Sequence, residues 1–445
     1  MNRAAIAARF SVSALMKLTK LQIHKYRGVA PGTELSFSPS LNLVLGRNGT
    51  GRTTLLELIS RVLCADFSGL IHEEFSLEYE LTFPGMKIHV RARNLPRSSP
   101  EELSGPPRAG ARLLPLREPE RPPELMPLLE ATLRLGAPST QVVVKADGSG
   151  LFCEVDGQPG YSRSMHWSVL DRTVWTLVFM VAQYLGPELK ERLKDLLRRT
   201  FLLAPPRFDE ALGMFTQIGN ITYAMEIQGD EVFPLGLMAL PTWMPAWLRE
   251  RVDRGPPPNA FEFSHTELER NFLAKFVTLA GFSAGRLRVE VVEKRTYENG
   301  GRLGFGRFGF HFTRHDGTTL EQASLGFGQK RLLSFLYYLD VNEDFVIADE
   351  LPNSLHPRWV AACLREIGTR QAFLTSESPL LFEHVPLGSA EELRAALLLC
   401  GAEVQDGREW LVWSNPTAEA ASKLLETQRA ENLPLGHVLQ AHGLW

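Results

Sequence analysis

Leu41-Asn42-Leu43-Val44-Leu45-Gly46-Arg47-Asn48-Gly49-Thr50-Gly51-Arg52-Thr53-Thr54 is the stretch on which the reading of this chain turns. Leu41, Leu43 and Leu45 alternate as a strand, and the run from Thr53, TTLLELISRVL, has helical spacing. Between them stand glycines at 46, 49 and 51, which let backbone N–H groups turn inward without side-chain clash. Inward amides at the opening of a helix form a cradle for phosphate oxygens, reinforced by the positive end of the helix dipole. Gly46, Arg47, Asn48, Gly49, Thr50, Gly51, Arg52, Thr53 and Thr54 are the candidate nucleotide-binding set, with the Thr53 hydroxyl positioned to hold Mg²⁺. One residue departs from the pattern. Arg52 stands where a lysine is usual, and it offers a planar fork in place of a compact point charge. A ligand-free glycine turn is the competing reading of the stretch taken alone.

Working outward, residues 16–46 alternate as strands from Leu21 and Ile23 onward. Phe75, Leu77, Tyr79, Leu81 and Phe83 repeat the alternation, and Pro84-Gly85 turns the chain into Ile88-His89-Val90 as a hairpin. Residues 94–127 are rich in Pro, Arg, Ser and Glu and read as a linker. Residues 161–250 read as mostly helical, and the expected insertion runs from 94 to 287. Strands are expected over 287–315 around Glu298-Asn299-Gly300-Gly301, and a last strand and helix over 410–428.

The second half carries three further segments. Ser324-Leu325-Gly326-Phe327-Gly328-Gln329 opens an apolar helix, and Ser324, Gly326 and Gln329 form either a second anion site or an ordinary helix cap. Phe345-Val346-Ile347-Ala348-Asp349-Glu350 is a buried strand that delivers two carboxylates to its C-terminal edge, where ligands sit in open parallel sheets. Asp349 is the candidate second Mg²⁺ ligand, and Glu350 the catalytic group that orients or deprotonates a water, with Arg52 on the phosphate. Ala372-Phe373-Leu374-Thr375-Ser376-Glu377 is a further strand and loop, and Leu351-Pro352-Asn353-Ser354-Leu355-His356-Pro357 lies between.

Four such segments in this order resemble the ABC-type ATPases of the RecF, SMC and OLD-like branch, over residues 16–92 and 288–385. The resemblance implies an α/β fold: an ABC-type P-loop ATPase head with a mixed sheet and flanking helices, interrupted by a largely helical lid or arm. It divides the chain into an extension (1–15), the first part of the head (16–93), the insertion (94–287) and the second part (288–445). It also implies ATP and Mg²⁺ as cofactors, and a homodimer or higher oligomer joined through the ATP sites, in which Ser324 reaches the partner's terminal phosphate. The position of Glu377 is a histidine in the family, and a carboxylate beside phosphate is repelled unless protonated or bridged by metal. Arg52 and Glu377 together point to slow hydrolysis. Within the branch the chain looks most like OLD-related ATPases of bacterial anti-phage defence. The segment after Glu377 is too short for the Toprim nuclease of OLD proteins, so a separate nuclease or toxin is the expected effector. A RecF-like DNA-repair ATPase is the alternative, with Lys190, Arg192, Lys194, Arg198 and Arg199 on DNA phosphates, and a non-hydrolysing interaction module is another.

Composition sets the outer bounds. A formal net charge of −3 argues against binding polyanions over the whole surface. The four cysteines, 64, 153, 363 and 400, fit no metal spacing and are expected as reduced thiols of a cytoplasmic protein. The longest apolar run, Val174 to Leu185, falls short of the ~20 residues a membrane helix needs and reads as a buried helix.

Overall fold

The computed structural model describes residues 15–96, 125–136, 138–165, 167–193, 196, 206–216, 218–220, 222–228, 231–235, 241, 243–253, 259–267, 271–297, 300–385 and 387–444. The chain begins with β1 (Lys17–Tyr26), β2 (Thr33–Ser36), β3 (Leu41–Leu45) and helix α1 (Arg52–Cys64). Strands β4 (Phe75–Phe83), β5 (Met86–Pro96), β6 (Leu125–Leu135), β7 (Thr140–Asp147), β8 (Gly150–Val155) and β9 (Gln158–Arg163) follow. Helices α2 (Val174–Ala182), α3 (Pro187–Arg192) and α4 (Phe208–Thr216) lead into β10 (Tyr223–Gln228) and β11 (Glu231–Leu235). Then come α5 (Met244–Asp253), β12 (Ala260–Ser264), α6 (Phe272–Ala280), β13 (Ala284–Tyr297), β14 (Gly300–Thr313) and β15 (Thr319–Glu321). The last third holds α7 (Phe327–Val341), β16 (Phe345–Ala348), α8 (Pro357–Ile367), β17 (Gln371–Leu374), α9 (Leu380–Glu383) and α10 (Ala390–Ala396). It ends with β18 (Leu397–Gln405), β19 (Arg408–Ser414), α11 (Ala418–Glu431) and α12 (Leu435–Ala441).

These elements build an α/β fold with three sheets. The central one has the order β16-β17-β3-β18-β19, parallel except for β19. Strands β16, β17 and β3 are buried on both faces, and the residues of these and of the start of β18 alternate between two hydrophobic clusters. Leu43, Leu45, Val346, Ala348, Ala372 and Leu374 face one. Val44, Ile347, Phe373 and Leu398 face the other. The second cluster is shared with α1 and with an eight-stranded antiparallel sheet of order β2-β1-β4-β5-β6-β7-β8-β9. The first is shared with α4, α6 and α7 and with a sheet of order β11-β10-β14-β13-β12, where Phe305, Phe310 and Phe312 are buried. A residue in the central sheet therefore packs on one layer or the other according to its parity along the strand.

The hairpin turn at Pro84-Gly85 is present, with Phe83 paired to Met86 and Gly85 at φ +74°. The strands expected over 287–315 are β13 and β14, paired from Ala284 with Thr313 to Tyr297 with Gly300; Glu298 and Asn299 lie outside the described residues. The expected helical insertion is corrected. Residues 125–163 are four strands that extend the sheet of β1, and β10 to β12 are strands as well. Among the described residues, the longer helices of this stretch are α2 to α6. The boundaries set at 93/94 and 287/288 cut through β5 and β13. The physical reason is that Val142, Val144 and Ala146 alternate inward as β-strand residues do, and sheet pairing with β6 then adds backbone hydrogen bonds that a lone segment lacks. The run from Val174 does form a buried helix, α2. Among the described residues, no helix is long and apolar enough to cross a membrane.

Candidate functional site

Register alone gathers the site. Ala348 pairs with Leu374, Leu374 with Leu43, and Leu45 with Leu399, so the strands of the central sheet end together. The residues that follow them, Asp349-Glu350, Thr375-Ser376-Glu377 and Gly46 onward, therefore share one C-terminal edge. The loop from Gly46 to Gly51 is held close to its neighbours. Gly46 has φ +156°, and a Cβ there would lie 2.4 Å from the Cys400 carbonyl oxygen. Gly51, at φ +83°, would bring a Cβ to 2.8 Å from Leu411. Trp413 on β19 donates its indole N–H to the Thr50 carbonyl at 3.2 Å, which pins the loop from the other side. Gly49 is also at positive φ (+85°).

The two halves of the sequence reading meet here. The Thr53 hydroxyl lies 2.8 Å from an Asp349 carboxylate oxygen. Arg52 donates to Asn48 Oδ1 and to Glu377 Oε1, both at 2.8 Å, and its other terminal nitrogen lies 3.5 Å from Glu350 Oε1. The second Glu350 oxygen accepts from the Glu377 backbone N–H at 2.7 Å. Glu350 sits in the left-handed region at φ 50°, a conformation a non-glycine residue keeps only when its surroundings hold it. Burial pushes its carboxyl above the usual glutamate range, opposed by the Glu377 N–H and by Arg52. Thr53 and Asp349 offer two hard oxygen ligands side by side, the donor chemistry that suits Mg²⁺ together with phosphate and water.

A layer of residues that sequence reasoning missed holds these in place. Thr375, fully buried, accepts from the Glu350 backbone N–H at 2.8 Å and donates to Asp349 at 2.5 Å. Asp209 accepts from the Asp349 N–H at 3.3 Å, and Arg207 stands 3.6 Å from Asp209 and 3.9 Å from Asp349. Residues 206–209 thus lie along the outer edge of β16, where Arg207 bridges to Ile347 in parallel. Phe208 packs edge-on to Phe335 of α7, and Arg331 of α7 lies over the Phe208 ring and donates to the Glu350 carbonyl at 2.8 Å. Burial raises the Asp209 carboxyl and lowers the Arg331 guanidinium. The signal for this layer was weak: Arg207-Phe208-Asp209 is three residues with no motif.

Of the expected residues, Asn48, Thr50, Arg52, Thr53, Asp349, Glu350 and Glu377 are tied to this edge by hydrogen bonds and ion pairs. Ser324, Gly326 and Gln329 stand at the start of α7, where Gln329 accepts from the Gly326 N–H at 3.1 Å and caps the helix. A Cβ at Gly328 would meet the Ser354 carbonyl at 2.5 Å, so that start is packed on the loop after the acidic pair. His356 is the N-cap of α8, its ring nitrogen accepting from the Arg358 N–H at 3.3 Å. Among the basic residues proposed for DNA, Arg192 is taken up by the carbonyls of Gly136 and Pro138, and Lys190 by Gln183. Lys194, Arg198 and Arg199 lie outside the described residues. The thiols of Cys64, Cys363 and Cys400 are pushed up to about 12 and that of Cys153 to about 11 by burial, so they are protonated at neutral pH.

Residues 20–80 match the family model of the AAA domain. This span holds the P-loop and the whole of α1. The chain is also similar to the DNA replication and repair protein RecF of Psychromonas ingrahamii, 48% identical over 44 residues. That stretch is 10% of this chain and 12% of the length of that RecF. Among solved structures, the SMC head domain from Thermotoga maritima aligns over 89% of this chain and 98% of its own, at 12% identity and a TM-score of 0.35. The recombination mediator protein RecF in its ATP-analogue structure aligns over 91% of this chain and all of its own, at 11% identity and a TM-score of 0.31.

Proposed function

We propose that this chain binds ATP with Mg²⁺ at the C-terminal edge of its central sheet and hydrolyses it slowly, as a nucleotide-driven dimeric switch. One observation carries the reading: Arg52 and Thr53, which follow the glycine loop, meet Glu350 and Asp349 through side-chain contacts across 296 or more residues of sequence. Loop amides would receive the phosphates, and Thr53 and Asp349 would hold the Mg²⁺, which when bound neutralises charge on the phosphate oxygens. Glu350 would orient the attacking water, for which its carboxylate must first exchange the partners it has at rest. Ser324 and Gly326, exposed at the start of α7, would face the nucleotide of a second copy. The match of residues 20–80 to the AAA domain supports the nucleotide part of this reading.

The motif order quoted above further supports a role as the regulatory subunit of an anti-phage system that controls a separate nuclease or toxin. DNA repair or maintenance is the second reading, favoured by the 44-residue similarity to RecF. Purified protein tests the proposal through ATP binding, phosphate release and mass in solution with and without nucleotide. The expected result is retained binding and abolished turnover in Glu350→Gln, with dimer formed on ATP. Failure to bind adenine nucleotide refutes the proposal, and fast unstimulated hydrolysis refutes its slow-switch part. Salt-dependent DNA binding, measured as a fall in affinity with added salt, decides for the second reading.

A further inference from the structure

Both departures from the expected motifs, Arg52 and Glu377, are partners of each other. The Arg52 side chain is only 11% exposed, and its fork is shared among Asn48, Glu377 and Glu350. An ammonium is a compact point charge and does not supply this planar, multiply directed set of donors. Glu377 is 57% exposed at its side chain and reaches inward to make the pair.

We infer that Glu377, by holding Arg52, is a specificity-determining residue that handicaps nucleoside triphosphate against diphosphate at this site. The inference rests on the nucleotide reading above. The loop amides cradle the inner phosphates without help from any side chain. The cation at the position of Arg52 is the group that reaches the β- and γ-phosphates. A diphosphate therefore asks for part of the Arg52 fork, and a triphosphate for more of it. A triphosphate adds charge beyond the cradle, where Glu350 and Glu377 stand, and it draws Arg52 away from both. Being largely exposed, Glu377 then turns to solvent, and Glu350 Oε1 loses its guanidinium neighbour and becomes free for water. The pair thus sets how much triphosphate is needed before the site engages, and links that engagement to release of the candidate base.

The test is titration of the full chain with ADP and with ATPγS in the presence of Mg²⁺, for wild type, Glu377→Asp, Glu377→Gln and Glu377→Ala. Wild type is expected to bind ADP more tightly than ATPγS. Loss of the carboxylate in Glu377→Gln and Glu377→Ala is expected to raise the ATPγS-to-ADP affinity ratio about two- to fivefold, the range of an ion pair with one largely exposed member. Glu377→Asp, which keeps the charge, is expected to stay near the wild-type ratio. A wild-type preference for ATPγS, or a ratio unchanged in Glu377→Gln and Glu377→Ala, overturns the inference while the nucleotide reading stands. Absence of binding of either nucleotide to folded wild type and variants overturns both.

Discussion

Replacement of Thr375 by valine removes one oxygen and almost nothing else, because the two side chains have nearly the same shape. That oxygen accepts from the Glu350 N–H at 2.8 Å and donates to Asp349 at 2.5 Å, in a side chain with no solvent exposure. The lost acceptor leaves a backbone N–H without its partner, which costs about 1–3 kcal/mol when water cannot replace it. The lost donor is a bond to a charged group, about 1.5–3 kcal/mol in full, but Asp349 is 22% exposed at its side chain and still has Thr53 at 2.8 Å. Discounting the second contribution by about half gives a destabilisation of about 2–4.5 kcal/mol. Equilibrium denaturation at an unchanged slope measures it as a shift of midpoint. Thr375→Ser keeps the hydroxyl and loses a methyl, so its cost stays near 1 kcal/mol, in the range of a small cavity. If Val at 375 costs less than Ser, the hydroxyl is not what holds the acidic pair, and the argument for this layer fails.

Gly46→Ala places a Cβ 2.4 Å from the Cys400 carbonyl oxygen, so we expect destabilisation of several kcal/mol, or nucleotide binding lost with the fold kept, and a variant indistinguishable from wild type in both measurements refutes the close approach. Burial raises the Glu350 carboxyl, so the acid limb of phosphate release is expected above the ordinary glutamate range, with the rate falling as pH drops through it; a limb at or below that range would count against Glu350 as the base. The same raised value sets the sign for stability: the contribution of Glu350 is present at low pH and lost as pH rises through its folded pKa, so Glu350→Gln gains stability relative to wild type on going from pH 4 to pH 7 in denaturation curves. Cys153, Cys363 and Cys400 are buried with raised thiols and are expected to resist a thiol reagent at pH 8 until the protein unfolds, which timed labelling reads directly.

Where a segment's chemistry is local, the sequence was sufficient. The alternation of Leu41, Leu43 and Leu45 before a glycine loop, and the four buried residues before Asp349, depend only on period and on the residues at the strand ends. The parallel strand 371–374 was legible for the same reason. What stayed hidden depends on partners remote in sequence. Strands β6 to β9 take their stability from pairing edge to edge, and the proline-rich stretch that precedes them broke the pattern before it could be followed. Thr375 reads as a strand-end threonine until Asp349 and the Glu350 amide are placed against it. Arg207 and Asp209 enter the site only because the Phe208 ring is anchored on α7, a contact made by residues more than 120 positions apart.

Those hidden residues explain how the insertion can speak to the acidic pair. Phe208 is fully buried between Phe335 and Tyr338, and the Tyr338 hydroxyl donates to the Pro206 carbonyl at 2.8 Å and accepts from the Ile347 N–H at 3.0 Å. Residues 206–209 are therefore clamped to α7 and to β16 at once. A shift of α7, whose first turn is the proposed face toward a second copy, would move Arg331 against the Glu350 carbonyl and Phe208 against Asp209 together. Packed interiors respond to such shifts by stepping between arrangements rather than by stretching. The helix that would sense a partner and the strand that carries the two carboxylates are joined by one aromatic ring and two hydrogen-bonded groups, so closure of a dimer and alignment of the candidate base need no longer route than this.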